Sequence, residues 1–90
     1  MESQHSVKLK ILDTSNLIPH RFDLLKYLER DRSVNDFIRT LMENDLRKLF
    51  SKYPNDLMAA LVIVQFAEMY FPKDSWGSVM NVSYWLSNND

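Results

Sequence analysis

The chain has no cysteine, one glycine, three prolines and two histidines in 90 residues. Without cysteine there is no disulfide scaffold, and His5 and His20 alone cannot supply the nitrogen and sulfur ligands of an ordinary zinc site. Gly77 by itself cannot build a glycine-rich phosphate loop, and no histidine stands near a serine in a recognisable nucleophile arrangement. These absences argue against an enzyme, so no metal or cofactor is expected and neither histidine is assigned a role. Strong charge of one sign is also missing, the formal net charge being −1. The most apolar stretch, residues 57–71, contains Gln65 and Glu68 and is shorter than the roughly 18–20 residues of a membrane span, so no membrane is expected. Residues 1–6 lack the basic start and apolar centre of a signal peptide, which sets the expected location in the cytoplasm.

What is present is 46% apolar residues without repeats or a glycine/serine linker, the composition of one small domain. A domain of this size buries only about 60–65% of its unfolded surface, so a partner chain that adds core is expected. Charge is uneven: residues 1–53 carry ten Lys/Arg against eight Asp/Glu, and residues 54–90 carry Lys73 against four acids. Val7, Leu9 and Ile11 alternate with Ser6, Lys8 and Lys10, which predicts a half-buried strand over 6–12. A turn is expected at 13–16. An apolar stripe of Phe22, Leu25 and Leu28 predicts a helix over about 19–30, with Pro19 in its first turn. Ser33, followed by Asp36, resembles a capping box and opens a second helix whose apolar period runs from Val34 to Phe50. Residues 57–70 form a third helix, apolar nearly all round, which must be buried on several sides. Residues 76–87 fit both alternation and a helical face, and a helix capped by Asp74 is preferred.

A lysine-bearing strand, a short helix, a tight link and a longer capped helix resemble the ribbon-helix-helix family of DNA-binding proteins over about residues 6–50. The resemblance rests on Val7-Lys8-Leu9-Lys10-Ile11, on residues 22–28, and on Arg32-Ser33-Val34-Asn35-Asp36-Phe37-Ile38-Arg39. It implies a mainly α fold with one N-terminal strand, forming an intertwined homodimer. Residues 1–53 would be the DNA-binding module, and residues 54–90 a helical extension packed on the same domain. In that family paired strands enter the major groove of double-stranded DNA, which implies base reading by Ser6, Lys8 and Lys10. The amides opening the second helix, at Arg32, Ser33 and Val34, would hold a phosphate. A transcriptional repressor or, through the extension, a protein similar to plasmid-partition adaptors is the implied function.

The residues also support a different class. Lysines between apolar residues are the usual solvent face of an edge strand, and Ser33 is a helix cap whatever else it does. Phe66, Tyr70, Phe71, Trp76, Tyr84 and Trp85 give the last forty residues a high aromatic content. They either complete a core or form a surface for a protein partner. The alternative function is therefore a small phage- or plasmid-encoded helical protein that binds and inhibits a host protein through that surface.

Overall fold

Residues 4–13 and 18–87 are described by a computed structural model, and every regular element among them is helical. The order is α1 (Gln4–Leu12), α2 (Arg21–Leu28), α3 (Asp36–Met42), α4 (Leu46–Lys52), a 3₁₀ turn (Pro54–Asp56), α5 (Leu57–Tyr70), a second 3₁₀ turn (Lys73–Ser75) and α6 (Val79–Ser87). The expected N-terminal strand and the ribbon-helix-helix fold are thereby corrected. Residues 6–12 are helical and no strand occurs among the described residues. The physical reason lies in the backbone: a lone strand leaves a row of N–H and C=O groups needing a second strand, whereas a helix satisfies them internally. Val7 and Ile11, which would share a face with Leu9 along a strand, are also four residues apart. They form the buried side of α1, while Leu9 is left in water. Most of the turn expected at 13–16 lies outside the described residues.

The second expected helix is two helices. Asn44 takes a left-handed backbone, φ 58°, which Asn tolerates better than most residues. The Asn44 N–H then bonds the Leu41 carbonyl at 3.0 Å and the Asp45 N–H bonds the Thr40 carbonyl at 3.2 Å, closing α3 in a Schellman turn. Asp45 at once starts α4, its carboxylate accepting from the Lys48 N–H at 3.1 Å. Arg30, φ 60°, ends α2 in the same way. At the other end of α3 the cap is Asn35, whose side chain accepts from the Ile38 N–H at 2.8 Å, and not Ser33. Over residues 76–87 the preferred helix is found, but Ser78 Oγ accepts from the Asn81 N–H while Asp74 lies in the preceding 3₁₀ turn.

Helix α3 is the hub and packs against α2, α4, α5 and α6. Five of its seven residues are buried: Phe37, Ile38, Thr40, Leu41 and Met42. Its last carbonyl, that of Met42, accepts from the Gly77 N–H at 2.6 Å, so the end of the hub is closed by a loop thirty-five positions downstream. Gly77 holds φ 103° to do so, and there is open space where a Cβ would stand. Tyr27 ties α2 to the same region. Its hydroxyl donates to the Ser75 carbonyl, its own carbonyl accepts from Trp85 Nε1 at 2.7 Å, and its ring stacks with those of Phe71 and Trp85, 6.3 and 6.5 Å between centroids. Burial, reinforced by the Glu43 charge, pushes that hydroxyl well above the ordinary phenol range.

Two substitutions test this packing. Gly77→Ala meets no neighbour, so its cost comes from backbone conformation alone; a loss of about 1–2 kcal/mol in urea denaturation is expected. Thr40 is fully buried and its Oγ1 has no hydrogen-bond partner among the described residues. Thr40→Val should therefore raise the denaturation midpoint by about 0.5–1.5 kcal/mol equivalent, because it removes an uncompensated hydroxyl at nearly constant shape. A fall would mean that the hydroxyl is satisfied.

Candidate functional site

The residues expected to read bases are not brought to one face. On α1, Ser6 and Lys10 are four apart and share a side, while Lys8 lies round the helix. Lys8 Nζ approaches Glu29 at 3.7 Å, and Lys10 Nζ stands 5.1 Å over the Tyr70 ring. Residues expected at a phosphate have partners within the chain. Arg32 donates to the carbonyls of Leu86 at 3.2 Å and Ser87 at 3.5 Å, where it closes the end of α6. The Ser33 N–H and hydroxyl both donate to Asp31, at 2.8 and 2.7 Å, and those bonds hold the Asp31 carboxyl below its usual range. The Val34 N–H donates to the Asp31 carbonyl at 3.2 Å, and the Val34 side chain is buried. A carboxylate and a carbonyl thus occupy the amides that a phosphate would need.

The aromatic residues of the C-terminal segment are mostly interior. Phe66, Phe71 and Trp85 are buried, Tyr70 and Trp76 are half-buried, and Tyr84 alone of the six is exposed. They complete the core and do not form an aromatic surface.

The site that the fold does build is apolar. The bend at Asn44 turns α4 away from the line of α3, and α5 returns alongside, leaving an open groove of about 230 Å³. Leu41 lines it from α3, Leu46 and Phe50 from α4, and Leu57, Leu61 and Val64 from α5, with Asn44 and Asp45 at one end. Among the described residues, Asp45 is the only charged one along it. Leu46, Phe50 and Leu61 stay 57%, 56% and 53% exposed, so the groove walls are themselves wet hydrocarbon. Around α5 from Leu61 the uncovered surface continues through Met58, Val62 and Met69. Only Ala60, Ile63, Phe66 and Ala67 of this helix are buried.

The α3–α4 wall of the groove is held by a charge cluster. Asp36, in the first turn of α3, accepts from Tyr53 Oη at 2.7 Å, Lys48 Nζ at 3.0 Å and Lys52 Nζ at 3.3 Å. The Tyr53 hydrogen bond first, then that of Lys48, draws the Asp36 carboxyl down to about 2. Phe37 packs edge-on against the Tyr53 ring, 5.2 Å between centroids, beneath this cluster. Comparison with family models, curated proteins and solved structures gives no match for this chain. The sequence marks Phe50 only as the end of an apolar helical period and assigns no binding role to any groove residue; the available signal is that residues 57–70 are apolar nearly all round.

Because Asp36 is lowered in the folded state, its contribution is complete above about pH 4 and is lost as pH falls toward 2. The group is solvent-screened, so under about 1 kcal/mol is at stake. Urea denaturation should show Asp36→Asn less stable than the native chain near pH 6, with a gap that narrows as pH falls from about 4 through 2. A difference that is undiminished at the lower pH would mean that the carboxylate pairing is not its source.

Proposed function

We propose that this chain is a helical protein-interaction module that works by docking the α4–α5 face against the apolar side of a helix. One observation carries the reading: the groove and the outer side of α5 form a largely apolar uncovered surface, with Asp45 at the groove's end and Gln65 and Glu68 the polar residues on the α5 side. Monomeric proteins rarely leave apolar patches above a few hundred Å² in water unless they bind something there. Grooves between helices are the usual seat of an amphipathic partner helix. The reading keeps the class of a small helical binding protein and moves its surface from the C-terminal aromatics to aliphatic residues of α4 and α5. DNA recognition has less support, because the ribbon that would read bases is a helix, and the Ser33 and Val34 amides are bonded to Asp31.

A photo-crosslinking amino acid at position 61, compared with one at the exposed position 26 on α2, tests this in the cells that make the protein. Protein adducts that form from position 61 and not from 26 are expected, and Phe50→Glu should reduce them at least about tenfold. Nucleic-acid adducts, or equal yields at both positions, would overturn the reading.

A further inference from the structure

Six positions of α5 face outward, and four of them are apolar: Met58, Leu61, Val62 and Met69, between 40% and 75% exposed. The other two are Gln65 and Glu68. This is not the mark of a loosely packed chain, because the radius of gyration, 12.2 Å, is what a compact domain of this length has. We infer that a second copy of this chain covers the face, with α5 packed antiparallel on its own copy about a two-fold axis near Gln65. The inference rests on the protein-interaction reading and names the partner.

Three properties of the face select a copy over a foreign protein. The first is area. At about 200 Å² to a large side chain, these four residues with Leu46 and Phe50 expose roughly 700 Å². That is close to the ~800 Å² each partner gives to a stable complex, and about an eighth of the 5792 Å² total. The second is charge. Of the ionisable side chains on α5, Glu68 is the one that lies on the face, and the helix carries no cation to select an acidic partner or to repel its own copy. Interfaces between identical chains are the more apolar kind.

The third is self-complementarity. A two-fold contact sets each residue against a position determined by its own sequence. With the axis at Gln65, Leu61 of one copy meets Met69 of the other, both being four residues away. The two Gln65 amides, each donor and acceptor, can pair with one another. A polar residue at the centre of an apolar seam is also a register device, and the same axis sets Glu68 of one copy opposite Val62 of the other. The antiparallel sense separates the two Glu68 carboxylates by six helical positions, about 9 Å along the axis, and aligns the helix dipoles favourably. A parallel pair would set the acids side by side.

Sedimentation velocity of the full chain across a dilution series is the test, together with cysteine crosslinking in this cysteine-free background. The native chain should sediment as a dimer near 100 µM and dissociate on dilution. Met58→Lys and Leu61→Lys should each weaken the dimer at least about tenfold while leaving the helical circular dichroism unchanged, since both side chains are exposed in the single chain. On oxidation Gln65→Cys should give a covalent dimer, and Met80→Cys, on the exposed side of α6, should not. A native chain that stays monomeric and a Gln65→Cys chain that stays uncrosslinked would overturn the inference. If position 61 then still forms adducts with other proteins, the docking surface stands with a different occupant. If it forms none, both readings fall.

Discussion

The fold depends on keeping a seven-residue helix in the interior. On its own α3 is too short to be stable in water, and five of its residues are buried, so it persists only while neighbours cover it on several sides. Helices α2, α4, α5 and α6 do so. A buried short helix also carries polar ends into low dielectric, and each end is satisfied by a particular group. Asn35 takes the Ile38 N–H, and Glu43, Asn44, Asp45 and Gly77 supply N–H groups to the carbonyls of Arg39, Leu41, Thr40 and Met42. The last of these donors binds the second half of the chain to the first. Tyr27 and Trp85 repeat that link through their own hydrogen bonds.

The same arrangement explains why α5 is exposed. The hub offers α5 one side, enough to bury four of its residues, while its sequence is apolar round most of the circumference. A helix of that composition belongs inside something, and within a single chain α2, α4 and α6 are packed on α3 while α1 is packed on α2. The groove and the outer stripe of α5 are therefore consequences of a core too small for its longest helix. The binding surface arises where the core runs out of elements to cover it.

What was legible in the sequence is what depends on local pattern. Residues 57–70 are a helix because apolar residues fill every face without a breaker, and that element is found between the same bounds. Residues 6–12 show the limit. Val7 and Ile11 satisfy a period of two and a spacing of four alike, and the choice between them depends on whether a second strand exists, which is not local information. The break at Asn44 was hidden because the apolar period continues across it from Met42 to Leu46. Only the left-handed backbone of Asn44 and the capping carboxylate of Asp45 separate the two helices. The groove is made by that break, so missing one concealed the other. Ser33 illustrates the same limit at a single residue: serine three positions before a helical acid is a credible cap, but Asn35 is nearer and takes the bond.

The central claim is that the outer face of α5 is covered in solution, and the methionine methyl groups report it directly. Met42 is buried, Met80 is exposed on α6, and Met58 and Met69 lie on the face in question. Methyl NMR with a soluble paramagnetic chelate reads the water exposure of each. At high protein concentration the account predicts that Met58 and Met69 are shielded like Met42 while Met80 is broadened, and that their shielding is lost on dilution. Broadening of Met58 and Met69 to the level of Met80 at every concentration would contradict it.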